Sequence, residues 1–305
     1  MNPEEMIRQS HRHPFQKWVT DPLFALLAGI VWLFFKILPV RWASAIGGQL
    51  GILIGKVMHR RSHIGLINLK IAFPDKSETE RRTILKKMWQ HWGRFYAEMP
   101  HAHTLFKKAE IRGLTHLKKA VAENRGGFVC SAHLGNWELA VSQPLFDDFY
   151  LNPVYRRANN PWLDKLMFQR RKGVLIPKGA AGARKMVEVL HHKGFIVMLC
   201  DQKLREGMEI PLFGKPALTA PAIAVLALKF KVPILMARSI RQPDGHFIMD
   251  VTEPLSMPQE SDSDKAVRLI LTEINRRLES WIRENPEQWL WVHRRFDKEI
   301  YRNPI

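Results

Sequence analysis

Gly126-Gly127-Phe128-Val129-Cys130-Ser131-Ala132-His133-Leu134-Gly135-Asn136-Trp137-Glu138-Leu139-Ala140 is the stretch from which the rest of the chain can be read. The apolar run Phe128 to Ala132 predicts a short buried strand, and Gly135-Asn136 predicts a tight turn leading into a helix. A histidine leaves the strand, and a carboxylate, Glu138, enters the helix five residues later. Folding back at Gly135-Asn136 lets imidazole and carboxylate meet at the carboxyl end of a strand, where open α/β sheets hold their ligands. A carboxylate on one ring nitrogen fixes the tautomer and raises the basicity of the other, which makes His133 a candidate general base. The backbone N–H groups near Gly135-Asn136, or the nearby arginines, offer a candidate oxyanion site. A histidine near a glutamate is also an ordinary surface or capping pair. Local residues alone therefore indicate an acid–base site suited to acyl or phosphoryl transfer.

The chain of 305 residues is 46% hydrophobic and 25% charged, enough to bury a substantial core in one large domain or two small ones. There is no internal repeat and no low-complexity tract. Its formal net charge of +18 calls for an anionic partner: nucleic acid, a phospholipid surface, an anionic substrate or an acidic carrier protein. Two cysteines, Cys130 and Cys200, are too few for a disulfide framework and point to a reducing cytoplasm.

Leu23 to Val40 is apolar apart from Lys36, a short candidate span whose lysine can reach an interface. The alternative is a buried core helix. Between Pro22 and Pro74 there is no acidic residue but Lys36, Arg41, Lys56, Arg60, Arg61 and Lys70 are basic, as befits a segment against anionic headgroups. Trp42 to Met58 carries Gly47, Gly48, Gly51 and Gly55, which permit close helix approach. Ser77-Glu78-Thr79-Glu80 predicts a capping box opening a helix to about Met99, with Met88, Trp89, Trp92, Phe95 and Tyr96 as its core-facing stripe.

From Gly113 onward strands and helices alternate. Helices are expected at Leu114–Asn124, Trp162–Arg171, Gly182–His191, Pro221–Phe230 and Asp264–Glu284. Strands are expected ending at Arg157, and at Val174–Ile176, Phe195–Cys200, Ile234–Ile240 and Phe247–Val251, the last pair antiparallel across Pro243-Asp244-Gly245. That alternation predicts an α/β fold with a mostly parallel mixed sheet flanked by helices.

The motif His133-Leu134-Gly135-Asn136-Trp137-Glu138 resembles the signature of the late acyltransferases of lipid A biosynthesis, the lauroyl and myristoyl transferases of Gram-negative bacteria. The resemblance continues through Tyr155-Arg156, Asn160-Pro161, Asp201-Gln202, Pro211-Leu212-Phe213-Gly214 with Thr219, Pro286-Glu287-Gln288-Trp289, Trp291 and His293-Arg294-Arg295-Phe296, covering nearly the whole chain. It implies a glycerolipid-acyltransferase-like domain over residues 42–305, preceded by a membrane-anchoring segment over 1–41. It implies transfer of a fatty acyl group from acyl carrier protein to a hydroxyl of an anionic lipid A precursor, at the cytoplasmic side of the bacterial inner membrane and without a cofactor. Coenzyme A as donor, or another glycolipid or lysophospholipid as acceptor, stays open.

On that resemblance His133 and Glu138 are the catalytic pair, with Asn136, Tyr155, Arg156, Asp201, Gln202 and an arginine at Arg170 or Arg171, here Arg170, contacting substrate. Asp201 either orients a basic side chain or caps a turn. The basic residues Arg156, Arg157, Arg170, Arg171, Lys172, Arg184, Lys185, Lys203 and Arg205 fall near strand ends and form a plausible clamp for phosphate and carboxylate groups. The resemblance implies direct transfer, so Ser131 and Cys130 are read as packing residues. Trp281, Trp289, Trp291 and Phe296, interleaved with arginines, suit either base stacking or packing at the membrane edge. Nucleic acid is the disfavoured partner, and the histidines lack metal-ligand spacing.

Overall fold

The computed structural model describes residues 16–142, 145–146, 149–156, 158, 160–168 and 173–302. A wide helical turn, Gln16–Thr20, leads into helix α1, Asp21–Ile37, with proline in its first turn. Pro39 cannot continue that helix, so the chain breaks at Leu38-Pro39 and restarts as α2, Val40–Val57. The expected single run to Val40 is thus divided between two helices. Helix α3, His59–Ala72, was not anticipated; it follows α2 after Met58 and has no clear apolar stripe.

Helix α4, Glu78–Glu98, starts at the expected capping box. The Ser77 hydroxyl accepts from the Glu80 N–H, and the Glu80 carboxylate accepts from the Ser77 N–H at 2.8 Å. After α5, Ala102–Lys108, come β1, Glu110–Arg112, and α6, Leu114–Ala122. Then β2, Gly127–Ser131, precedes the short helix α7, Glu138–Ser142. The alternation continues with β3, Asn152–Tyr155; α8, Pro161–Phe168; β4, Ile176–Pro177; α9, Ala180–His191; and β5, Phe195–Leu199. A hairpin of β6, Met208–Leu212, and β7, Lys215–Thr219, interrupts it. Pro211 and Pro216 hide that hairpin in the sequence, because proline inside a run argues against a strand. The chain then forms α10, Ala222–Phe230; β8, Ile234–Arg241; β9, Phe247–Val251; and α11, Ser263–Glu284.

The main sheet has the order β1-β9-β8-β2-β5-β3-β4, parallel except for the antiparallel β8–β9 pair. β2 lies at its centre and is buried along its whole length. Its side chains alternate between two cores, Phe128 and Cys130 on one face and Val129 on the other.

Helix α2 lies on α4 through a glycine seam. A Cβ on Gly93 would come within 2.0 Å of the Gly47 carbonyl oxygen, and one on Gly51 within 2.1 Å of the Trp89 carbonyl oxygen. The opposite face of α2 exposes Trp42, Leu50, Leu53 and Val57. In α1 only Phe35 is buried. Trp18–Ile37 is the one span among the described residues long and apolar enough to cross a membrane, and 6% of it is buried. That exposure excludes the core-helix alternative.

The tryptophan-rich tail is the reverse case. Trp289, Trp291, Arg295 and Phe296 are all at most 2% exposed, so they neither stack on bases nor face a membrane. Asn68 of α3 fastens this tail, its amide donating to the carbonyls of Trp291 at 2.6 Å and His293 at 2.8 Å. The fully buried Arg295 donates to the Leu218 carbonyl and the Thr219 hydroxyl at 2.8 and 2.7 Å.

Candidate active site

Parallel pairing puts Ser131 of β2 beside Leu199 of β5, and the residues two further on, His133 and Asp201, emerge side by side at the carboxyl edge. The Asp201 carboxylate accepts the His133 Nδ1–H at 2.8 Å and the His133 backbone N–H at 3.0 Å. Its second oxygen also accepts the indole N–H of Trp289 at 2.8 Å. Asp201 is 3% exposed. Burial alone would raise its pKa, but the facing His133 ring, the hydrogen bonds from His133 and that from Trp289 outweigh burial and hold it at about 2. The aspartate is therefore ionised at neutral pH and fixes the Nδ1–H tautomer, leaving Nε2 with a lone pair.

The sequence reading gave the orienting role to Glu138. In the structure Asp201 takes the Nδ1 position, because the strand order sets β5 next to β2. Glu138 instead lines the cavity that His133 opens onto, where burial and the Glu138 charge raise the pKa of Tyr96.

The turn after His133 is pinned from three sides. Gly135, at φ +61°, donates its N–H to the Gln288 carbonyl at 3.0 Å, and Asn136 donates its N–H to the Ser239 carbonyl at 3.1 Å. The buried His91 ring binds the Gly135 carbonyl at 3.1 Å through Nε2; burial lowers its pKa to about 4, so it is neutral and donates. A Cβ at Gly135 would sit 1.6 Å from the Ser239 carbonyl oxygen. These bonds correct the expected oxyanion site: the N–H groups of Gly135 and Asn136 are already spent on carbonyls of the protein. Asn136 is 3% exposed and is not among the cavity-lining residues, so it acts within the turn.

His133, Glu138, Tyr155, Arg156 and Gln202 all line one cavity of about 690 Å³, within the usual range for small-ligand sites. One wall is a single face of the sheet, at Val129, Ser131, Val197, Ala237, Ser239 and Met249. The cavity is also lined by Trp92, Phe95 and Tyr96 of α4, the stripe expected to be core; Tyr96 is 51% exposed and the stripe is in part cavity wall. The cavity is polarised along the strand order. Toward β1 the lining is mostly apolar, Ile111, Leu114, Leu117, Met249 and Val251 with the paired Arg238 and Asp250, and toward β4 it carries Tyr155, Arg156, Lys178, Gln202 and Lys203 among Val154, Pro177, Ala183 and Met186.

Tyr155 pairs with Pro177, which brings the next residues, Arg156 and Lys178, together as a cationic pair. Burial and then the charge of Arg156 lower the Lys178 pKa. Lys178 was not anticipated, and only its place after a strand end marks it. Of the rest of the expected basic rim, Lys185 pairs with Glu188 at 2.6 Å, while Arg157, Arg170, Arg171 and Lys172 lie outside the described residues. Arg238 lines the cavity but is bound to Asp250 at 3.2 Å and Glu284 at 2.6 Å. Ser131 lines the cavity, whereas Cys130 points into the opposite core.

A histidine is thus held by a buried carboxylate on Nδ1 and meets the Gln202 amide at 3.1 Å on Nε2, at the wall of a cavity lined by both apolar and cationic side chains. The sequence profile of the bacterial lipid A biosynthesis acyltransferases matches residues 12–298, and the chain belongs to that family of O-acyltransferases. It is 28% identical to the lipid A biosynthesis lauroyltransferase of Escherichia coli K12 over 88% of this chain and 89% of that one. It is 26% identical to the palmitoleoyltransferase of the same strain over 97% and 96%, and 22% identical to its myristoyltransferase over 93% and 88%. In fold it overlaps loosely with the 1-acyl-sn-glycerophosphate acyltransferase of Thermotoga maritima, with a TM-score of 0.36 and 15% identity over 77% of this chain and 97% of that one.

Proposed function

We propose that this protein transfers a fatty acyl group from acyl carrier protein to a hydroxyl of a lipid A precursor while held on the cytoplasmic face of the inner membrane. The observation that carries this reading is the polarised cavity around His133. The arm toward β1 offers apolar walls to an acyl chain, and the arm toward β4 offers Arg156 and Lys178 to phosphate or carboxylate groups, beside Lys203, whose amine donates to the Phe296 carbonyl at 3.1 Å. Membership of the lipid A acyltransferase family supports the acceptor class, and the net charge of +18 suits both an acidic carrier protein and an anionic acceptor.

In the reaction His133 Nε2 removes the acceptor hydroxyl proton as the oxygen attacks the thioester carbonyl. Asp201 stabilises the imidazolium that forms. When the tetrahedral intermediate collapses, the carbon–sulfur bond breaks and the thiolate recovers the proton from His133. With Nδ1 already held by Asp201, Glu138 acts from the cavity side, positioning the acceptor. Transfer is direct, without an acyl group on Ser131 or Cys130.

Helix α1 anchors the enzyme: the 20 residues of Trp18–Ile37 reach about 30 Å as a helix, one hydrocarbon thickness. The exposed apolar face of α2, flanked by Arg41 and Lys56, continues that surface into the headgroup layer. The experiment is transfer by purified full-length protein with acyl carrier protein or coenzyme A thioesters and a detergent-dispersed lipid A precursor, read by mass spectrometry. An acylated precursor with a preference for the carrier protein is expected. No acylated product with either donor overturns the reading.

A further inference from the structure

Every acyl transfer through a tetrahedral intermediate needs donors for the oxygen that becomes negative. The backbone groups best placed by sequence, the N–H groups of Gly135 and Asn136, are bound to the carbonyls of Gln288 and Ser239. The His133 N–H is bound to Asp201. The turn that carries the base therefore has these three donors committed before substrate arrives.

One side-chain amide lies where a donor is required. Gln202 follows Asp201, lines the cavity, and places its amide nitrogen 3.1 Å from His133 Nε2. Asp201 holds the proton on Nδ1, so Nε2 accepts and the amide N–H donates. The attacking hydroxyl must come within about 2.6–3.2 Å of the same Nε2. The carbonyl carbon it attacks, and the oxygen on that carbon, then lie within reach of the amide.

We propose that Gln202 is the side-chain donor that receives the oxyanion, a role resting on the acyl-transfer reading above. At rest its N–H caps the lone pair of the base. The acceptor hydroxyl takes that lone pair when it binds, displacing the amide N–H, which turns to the thioester carbonyl oxygen. As the hydroxyl proton moves to Nε2 and its oxygen attacks, that carbonyl oxygen gains the electron pair of its π bond. The acceptor of the amide N–H thus passes from a neutral carbonyl to a charged oxygen. A hydrogen bond to a charged oxygen is roughly twice as strong as a neutral one. The gain arises only beyond the ground state, so it lowers the barrier without tightening substrate binding. Collapse of the intermediate expels the thiolate, which takes the proton from Nε2, and the freed lone pair again accepts from Gln202.

The test compares Gln202→Met, Gln202→Glu and Gln202→Asn in full-length enzyme, with the wild-type assay as reference and thermal melting as a folding control. Met keeps the volume without a donor, Glu keeps the shape but presents an anion, and Asn keeps a donor on a shorter arm. The expected result is a fall of about 10²- to 10³-fold in kcat for Met, with KM for both substrates changed by less than about threefold. Glu should be at least as slow, and Asn should recover part of the loss. Should Met fail to fold, the Glu and Asn pair alone decides. A Met variant with near wild-type kcat, or a loss confined to KM, overturns the donor role and leaves the acyl-transfer reading standing. A wild-type enzyme that transfers no acyl group overturns both.

Discussion

Asp201 holds His133 at two points, its carboxylate accepting the ring Nδ1–H at 2.8 Å and the backbone N–H at 3.0 Å. One buried anion thus sets both the tautomer of the base and the course of the chain that carries it.

Asp201→Asn should lower kcat about 10²- to 10⁴-fold, close to the loss from His133→Ala, and the double variant should lose little more because the two act as a unit. Single-turnover rates with purified enzyme check this. Glu138→Gln should act separately if Glu138 has the proposed acceptor-positioning role at the cavity wall. Its loss should multiply with that of Asp201→Asn; a double variant no slower than Asp201→Asn alone would return Glu138 to His133.

The pairing of residues 68 positions apart shows where sequence reading stopped. Periodicity placed the strands ending near Ser131 and Leu199 within a residue or so; the local residues marked the first end as a site, and the family resemblance marked the second. Nothing in either strand states that they are neighbours, and only that adjacency turns Asp201 toward His133. Glu138 was nearer in sequence and took the role by default. The capping box at Ser77 and the antiparallel β8–β9 pair were legible because their contacts are local. The buried tail was not, because tryptophan beside arginine reads alike at a surface and in a core until its partners, Asn68 and Thr219, are known.

The cavity arm toward β1 predicts donor choice. Ala237 stands in the sheet wall between His133 and the apolar residues of β9 and β1. Ala237→Phe should shift preference to shorter acyl donors, lowering kcat/KM for the best wild-type donor about 10-fold or more, within the range expected for a few misplaced methylenes. Competition between mixed chain lengths, read by product mass, measures it. An unchanged preference would place the acyl chain elsewhere.

Acid should weaken the fold through His91. Its pKa is about 4 in the folded protein against 6.5 in the unfolded chain, so the unfolded state binds more protons between these values. Stability from neutral His91 is complete above about pH 6.5 and is lost as pH falls through 4, at roughly 1.4 kcal/mol per pH unit across the window. His91→Gln keeps a donor for the Gly135 carbonyl and does not titrate there. Its melting temperature should fall less steeply between pH 6.5 and 4 than that of wild type.

The seam between α2 and α4 should not accept a methyl group. Gly93→Ala brings a Cβ to within 2.0 Å of the Gly47 carbonyl oxygen unless the helices part. A loss of about 1–3 kcal/mol is expected in detergent, read as a lower melting temperature. Because α4 carries Trp92, Phe95 and Tyr96, KM should rise as well.

Removal of residues 1–33 leaves Phe35, whose carbonyl is bound by His101 at 2.8 Å, in place. The shortened protein should fold, leave the membrane fraction, and regain part of its activity on detergent-dispersed acceptor. High salt alone should not release the full chain, since only the basic residues, worth about 1 kcal/mol each near anionic lipid, respond to it. Release by salt would mean surface attraction without insertion.

Three of the bonds that hold the turn and its aspartate come from residues 288–290, far along the chain from His133. Gln288 receives the Gly135 N–H, Trp289 binds Asp201, and Leu290 donates its N–H to the His133 carbonyl. During translation the base is therefore made early but mounted late: until residues 288–290 leave the ribosome, His133 and Asp201 lack the clasp that aligns them. The proposed anchor, by contrast, precedes the whole site in the chain and emerges before it. A nascent chain would thus reach the bilayer before this clasp existed, and premature termination between Ile37 and Gln288 would yield a tethered product without it.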